Sequence, residues 1–182
     1  MEIADAQREM RLRFAGGSYG QLVSGALWLA AAGLANWSSP RAAITTLIVG
    51  GFFIYPVTEL LIRAGGPRRP LSRGNTLPQL GMQVAFVLPL SMPLLVPVGH
   101  YRLTWFFPAM MILVGAHYLP FVFLFGMRTF AVLAGLLLAP GVLIALYRPE
   151  SLSLGAWWTA VVLLVFAGIG RAVAQRESRG AV

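Results

Sequence analysis

The sequence has no lysine and no cysteine, and charged residues of any kind are rare. Only 11% of its 182 residues are charged, whereas a soluble domain has about 25%. This leaves too little polar surface to cover a water-soluble globule. The absence of cysteine excludes disulfide bonds, thiolate metal sites and cysteine nucleophiles. The absence of lysine excludes a phosphate-binding loop of the type that ends in lysine.

Acidic residues are scarcer still inside the apolar segments, where Glu59 is the only one. Paired carboxylates, on which much acid–base and metal-assisted chemistry depends, are therefore missing from the predicted membrane region. The two histidines, His100 and His117, do not have the one-turn spacing of metal ligands. The sequence therefore predicts a protein that is not an enzyme and has no metal and no cofactor.

Apolar residues make up 58% of the chain and occur in continuous blocks. Several blocks reach the roughly 20 residues that a helix needs to cross the hydrocarbon core. Hydrocarbon offers no hydrogen-bond partners, so the backbone there must be helical or form a closed barrel. The blocks lack the alternation of barrel strands. The fold class predicted is therefore all-α, a polytopic membrane protein.

The blocks predict a bundle of about six transmembrane helices. Residues 1–18 form an N-terminal amphipathic helix, residues 19–174 the transmembrane domain, and residues 175–182 a tail. The predicted spans cover residues 20–36, 42–62, 78–98, 105–126, 129–147 and 154–170.

The N-terminal helix is predicted from apolar residues at helical spacing, namely Ile3, Ala6, Met10 and Phe14. Arginines occupy the other faces, so the helix is expected to lie in the membrane interface beside anionic headgroups. The alternative is a solvated helical arm.

All of the positive charge comes from arginine, and its distribution predicts an orientation. With six spans and a cytoplasmic N-terminus, only Arg41, Arg102 and Arg148 of the 14 arginines lie outside. This asymmetry obeys the positive-inside rule. We therefore expect an inner-membrane protein with both termini in the cytoplasm. Its partners are expected to be the lipid bilayer and either a second copy or another membrane protein, and not nucleic acid.

Ionisable groups inside a membrane are costly, and each is a candidate functional residue. His117 lies near the middle of the fourth predicted span, next to Tyr118. Its imidazole could relay a proton or bind a polar ligand, or it could donate a single structural hydrogen bond. Glu59 precedes Arg63 by four residues, which fits an anchoring helical ion pair. Alternatively, Glu59 is a cation or proton site at the cytoplasmic end.

Prolines recur in the third predicted span, at Pro89, Pro93 and Pro97. Each removes a helical hydrogen bond, so the carbonyls of residues 85, 89 and 93 lose their usual donors near Ser91. Such carbonyls coordinate cations in discontinuous transporter helices, or they are satisfied locally in a kinked helix. Ser91 and Pro93 therefore join His117, Glu59 and Tyr118 as candidate substrate or proton-site residues.

The longest polar connection is rich in arginine. Its side chains Arg68, Arg69 and Arg73 are candidate contacts for a lipid phosphate. The positive-inside rule accounts for the same residues without a bound lipid.

Several motifs resemble a family of small bacterial multi-pass membrane proteins grouped as a domain of unknown function. The resemblance covers about the first 130 residues and implies a membrane protein without an assigned activity. It is carried by four stretches, Gly16-Gly17 through Leu22-Val-Ser-Gly25 to Trp28, Gly50-Gly51 through Pro56, Arg73-Gly74-Asn75, and Trp105-Phe-Phe-Pro108 through Val114-Gly-Ala-His-Tyr-Leu-Pro-Phe121 to Gly126-Met-Arg128.

Two functions follow from these features. The first is a small-solute or ion transporter, which the interrupted spans and the buried ionisable residues favour. The alternative is a non-catalytic membrane subunit that packs against a larger complex. It is favoured by the scarcity of ionisable groups and by small residues four apart, such as Ala131, Gly135 and Ala139.

Overall fold

The structure is a computed structural model that describes residues 1–65 and 70–179, with the backbone alone for residue 179. Its described residues form helices and short 3₁₀ turns, and no strand occurs among them. The helices are α1 (Ile3–Arg13), α2 (Ser18–Trp37), α3 (Pro40–Gly51), α4 (Ile54–Ala64), α5 (Leu77–Ser91), α6 (Leu95–Tyr101), α7 (Phe106–Phe125), α8 (Thr129–Tyr147) and α9 (Leu154–Arg179).

Four stretches within the described residues are long and apolar enough to cross a membrane, and the bent pair α3–α4 makes a fifth if it counts as one span. The four are α5 with α6, α7 with the short turn before it, α8, and α9. The protein is therefore a helical membrane protein, with fewer such spans than the six predicted. The predicted span that is missing from this set is α2. It is long enough, with 20 residues, but it is less apolar because it includes Gln21, Asn36 and several glycines and alanines.

The limited apolar character of α2 fits its place in the bundle. It packs along α9 and against α3 and α4, and its buried residues include Ser18, Gln21 and Ser24. A helix face that is covered by protein does not need to be apolar, whereas a face in contact with lipid does.

The second predicted span is a bent pair of helices, with an angle of 58° between α3 and α4. The break falls at Phe52 and Phe53. Pro56 explains its position, because a proline ring clashes with the carbonyl four residues earlier, here that of Phe52.

The third predicted span is interrupted by a 3₁₀ turn at Met92–Leu94, between α5 and α6. The carbonyl of Pro89 accepts a hydrogen bond from the Met92 N–H, and that of Pro93 accepts one from the Leu95 N–H. The turn therefore satisfies two of the three carbonyls that the prolines deprive of their usual donors.

The core lies between α2, α7, α8 and α9. Trp28 of α2 packs on Phe107 of α7 with ring centroids 6.0 Å apart, and both side chains are fully buried. Leu133 of α8 and Leu163 of α9 complete the same core. Each of these buried side chains stabilises the bundle through dispersion contacts with its neighbours. Such close packing is what holds helices together in lipid.

The chain enters the bundle through two glycines with positive φ, Gly16 (62°) and Gly17 (80°). Gly16 lies directly on Gly170 of α9, and a Cβ added to Gly170 would come within 2.8 Å of the Gly16 carbonyl oxygen. Only glycine allows two backbones to approach this closely. The contact positions α1 relative to the last span.

The helix limits agree best with prediction where charged residues bound an apolar block. α8 coincides with the predicted span at 129–147. α9 agrees at its start but continues to Arg179, through most of the predicted tail.

We expect Gly170→Ala to destabilise the protein and Gly168→Ala not to. The first adds a methyl group against the Gly16 backbone, and overpacking of this kind costs about 1–3 kcal/mol. The second faces open space and gains helix propensity, up to about 1 kcal/mol. Thermal unfolding of the two variants in the same detergent measures the difference. Equal melting temperatures would contradict the proposed close contact.

Candidate functional site

The end of the bundle that carries α1 holds most of the described polar contacts between distant parts of the chain. We call it the basic end, because eight arginines lie there on α1, in the segment before α5, beside the ends of α4 and α8, or in the last part of α9, namely Arg8, Arg11, Arg13, Arg63, Arg73, Arg128, Arg171 and Arg176. The opposite end has Arg41, Arg102 and Arg148. Polar residues of α1 contact α4, α7, α9 and the segment before α5, and we call these contacts the polar clamp.

The first part of the polar clamp joins α1 to the segment before α5. The Glu9 carboxylate accepts hydrogen bonds from the Ser72 hydroxyl, from the Ser72 N–H at 3.1 Å and from Asn75 Nδ2 at 3.0 Å. Asn75 Nδ2 also donates to the carbonyl of Ala6 at 3.1 Å. Asn75 Oδ1 accepts from the Leu77 N–H at 3.0 Å, at the start of α5. Asn75 is buried and thus fixes both α1 and the beginning of α5.

These hydrogen bonds lower the pKa of the Glu9 carboxyl below its ordinary 4.5, with the Ser72 hydroxyl as the largest cause and Asn75 the next. Each donor stabilises the ionised form. Glu9 is therefore ionised in the folded protein at neutral pH.

The second part joins α1 to the ends of α7 and α9. Gln7 Nε2 donates to the carbonyl of Phe123, and Arg11 Nη1 donates to that of Phe125, both at 2.6 Å. The last carbonyls of a helix lack intrahelical donors and carry partial negative charge, so a cation there is favourable. Arg11 Nε also pairs with Glu177 of α9 at 2.8 Å. Arg11 therefore links three helices.

The third part joins α1 to α4, through Arg13 Nη2 and Glu59 at 3.2 Å. Both side chains are largely buried, at 12% and 13% exposure. Sequence spacing predicted Arg63 as the partner of Glu59. The described ion pair instead crosses 46 residues of sequence, which places Glu59 in the polar clamp.

His117 and Tyr118 lie beside an aromatic cluster formed by Phe14, Tyr118, Phe121, Phe125 and Phe130. The His117 ring is 5.1 Å from that of Phe121 and lies within hydrogen-bonding reach of the Val84 backbone in α5. Its Nδ1 atom is buried and has no partner among the described residues. Tyr118 is buried and stacks on Phe130 of α8.

Ser91 and Pro93 lie on the outer part of the bundle. The Ser91 hydroxyl donates to the Val87 carbonyl at 2.8 Å, and Pro93 is exposed. Val84, beside His117, precedes Ser91 by seven residues, or about 10 Å of helix. The structure thus places His117 and Tyr118 beside the aromatic cluster, Ser91 against its own helix and Glu59 against Arg13.

The predicted lipid-phosphate contacts are only partly described. Arg73 is exposed in the segment before α5, two residues from Asn75. Arg68 and Arg69 lie outside the described residues. Among the residues that the structure describes, no cluster of three or more His, Asp or Glu could hold a metal ion.

Residue spacing alone does not predict the polar clamp, but the family-like motifs indicate where it lies. Gly16-Gly17 contacts α9, Asn75 of Arg73-Gly74-Asn75 binds α1, and Gly126 ends α7 with a φ of 62° beside Gln7. Three of the motifs therefore meet at the basic end, around α1.

A model of a family described as "Family of unknown function (DUF7010)" matches residues 3–171. The match begins at the first residue of α1, ends at Arg171 of α9, and extends beyond the first 130 residues that the resemblance covers. No curated protein matches the chain, and no solved structure does.

We expect Asn75→Ala to loosen α1. The substitution removes the donors to Ala6 and Glu9 and the acceptor of the Leu77 N–H, and losing a buried hydrogen-bond partner costs about 1–3 kcal/mol. The melting temperature should fall, and trypsin should cleave faster at the arginines of α1. Asn36→Ala, at an exposed position near the end of α2, is the control. Identical cleavage of both variants would rule out the role given to Asn75.

We also expect α1 to detach as the pH falls below about 4.5. Because the folded-state pKa of Glu9 is depressed, its stabilising contribution is complete above the unfolded value and is lost as the pH falls through the folded value. The mobility of a spin label attached at Ile3→Cys measures detachment. The label attaches at this position alone, because the natural chain has no cysteine.

Two variants test this dependence on pH. Glu9→Gln should weaken this dependence, because the neutral amide does not titrate in this range. Glu150 also has a lowered pKa, chiefly because Arg148 donates to it, but it lies at the opposite end. Glu150→Gln should therefore leave the spin-label transition unchanged, and an equal effect of both variants would contradict the assignment to Glu9.

Proposed function

The chain belongs to the family of unknown function DUF7010, and we propose that it is a non-catalytic membrane protein that acts by packing against another membrane protein. The observation that supports this most is the polar clamp. It engages Glu59 and the α1 side chains of Gln7, Glu9, Arg11 and Arg13 with other parts of the same chain, and it ties four segments of the bundle together at one end.

Ser91 and the carbonyls near Pro93 fit the same proposal. Ser91 donates to its own helix, and the carbonyls of Pro89 and Pro93 accept local hydrogen bonds. These contacts are those of a kinked helix whose polar groups are satisfied within itself. A transport pathway would use such groups for the transported ion.

We further propose that the protein lies in a bacterial inner membrane with the basic end in the cytoplasm. The arginines at the basic end outnumber the three at the opposite end, as the positive-inside rule requires of cytoplasmic segments. With α2 and the bent pair each counted as one span, both termini are cytoplasmic. The N-terminal helix then lies at the cytoplasmic interface.

The outer face of α8 is where a partner helix could approach most closely. Ala131, Gly135 and Ala139 are exposed on this face, and nothing lies within 4 Å of a Cβ added to Gly135. Helices in lipid associate by close packing, which small residues permit. The partner proposed here is therefore a transmembrane helix of another protein.

We expect a photo-cross-linking residue at Leu136 to capture a membrane protein in native membranes. Leu136 is partly exposed next to Gly135 on α8. Adding Gly135→Leu should remove most of the cross-linked product, because the larger side chain keeps a partner helix at a distance. Mass spectrometry identifies the captured protein.

A photo-cross-linking residue at Phe86 of α5 is the control. It is also exposed but lies on a different helix, which has only two small residues at this spacing, Gly81 and Ala85, and not three. Capture of lipid alone at Leu136, or equal capture at Leu136 and Phe86, would contradict a specific partner face on α8. Capture of a second copy would replace the proposed partner with a homo-oligomer.

One observation favours the small-solute or ion transporter as a second candidate. His117 Nδ1 is buried without a partner among the described residues, and an unpaired imidazole nitrogen in a membrane can carry a proton. In liposomes, a non-transporting subunit gives the same proton and ion flux as protein-free vesicles. Flux above that level that His117→Ala abolishes and Ser91→Ala preserves would favour transport instead.

A further inference from the structure

A groove of about 250 Å³ runs between α2 and α9 on the outside of the bundle. Its lining changes in character along its length. Ser18, Tyr19 and Arg171 lie at the basic end, and Leu22, Leu164 and Ala167 extend from there toward the middle of the bundle. Leu164 precedes Arg171 by seven residues, which is about 10 Å along α9.

The polar end of the groove holds an arginine in a fixed position. Arg171 Nη1 donates to the Tyr19 hydroxyl at 3.1 Å, and the guanidinium lies over the Tyr19 ring, 5.5 Å from its centroid. The side chain is nevertheless exposed. Its remaining N–H groups can therefore donate to an anion, and a guanidinium suits phosphate because two parallel donors can bind two oxygens.

Two further features at this end also favour an anion. The Ser18 side chain is 3% exposed, and its hydroxyl has no hydrogen-bond partner among the described residues. Ser18 is also the first residue of α2, a 20-residue helix whose N-terminus carries partial positive charge. A phosphate oxygen would provide the acceptor that the Ser18 hydroxyl lacks.

The apolar part of the groove is suited to an acyl chain. Gly168 lies on the same face of α9 as Leu164 and Arg171, and a Cβ added there would contact nothing within 4 Å. The absence of a side chain at Gly168 keeps the groove open toward the lipid. The order of residues, from a basic end to an apolar wall, matches a phospholipid that stands parallel to the spans.

We propose that this groove is a binding site for an anionic phospholipid. Its phosphate binds Arg171, Tyr19 and Ser18, and one acyl chain packs along Leu22, Leu164 and Ala167. These residues differ from Arg68, Arg69 and Arg73, the candidate lipid-phosphate contacts named from the sequence. The site does not depend on a protein partner of α8.

The test is native mass spectrometry of delipidated protein titrated with phosphatidylglycerol or with phosphatidylcholine. The protein should bind one molecule of phosphatidylglycerol, and more tightly than it binds phosphatidylcholine. Arg171→Ala should lower that affinity by at least about fivefold, because a charge-assisted, two-donor contact is lost. Gly168→Leu should lower retention of both lipids, because its side chain fills the groove and leaves Arg171 in place.

Arg176→Ala is the matched control, since Arg176 is exposed on the same helix and is absent from the groove lining. It should change the affinity less than about twofold. Equal losses for Arg171→Ala and Arg176→Ala would overturn the proposal in favour of general attraction to positive charge. Inorganic phosphate that displaces the lipid and stabilises the protein to the same extent would overturn it in favour of a free anion.

Discussion

The structure depends on how the helix ends at the basic end obtain hydrogen-bond partners. The last carbonyls of a helix have no donors within the helix, and at the membrane surface they need water, headgroups or protein. Here α1 supplies donors from Gln7 and Arg11 to α7, and Asn75 caps the start of α5. One amphipathic helix thus supplies donors to the end of α7 and ion-pair partners to α4 and α9, and the close contact of Gly16 with Gly170 holds it in register with α9.

This arrangement explains why an amphipathic helix can be part of the bundle and not only an attachment to the membrane surface. Ala6 and Met10 face the protein and are buried, whereas Ile3 is exposed. The polar residues of α1 are then directed to different neighbours, Glu9 to the segment before α5, Arg11 to α9 and Arg13 to α4. Since the match to the family begins at Ile3, α1 belongs to the family's shared domain.

The sequence predicts the local features well, because each follows from a local cause. The α8 block is bounded by Arg128 and Arg148, so its helix limits could be read directly. Pro56 accounts for the bend at Phe52, but its angle depends on packing. The polar clamp joins residues up to 166 positions apart, and spacing rules do not reach that far. They pair Glu59 with Arg63, whereas the described partner is Arg13. Length and apolar character alone do not single out α2 as a span, because one of its faces carries the polar residues Ser18, Gln21 and Ser24 and is buried against protein.

The length of α9 has a consequence for how the protein meets its membrane. With 26 residues, it is about 39 Å long, whereas the hydrocarbon core is about 30 Å thick. Its final turns therefore extend into the headgroup layer, where Glu177 holds Arg11. A thinner bilayer would increase the tilt of such a helix or expose more of it. Because α1 is bound to that projecting end, the height of α1 above the hydrocarbon is set by bilayer thickness.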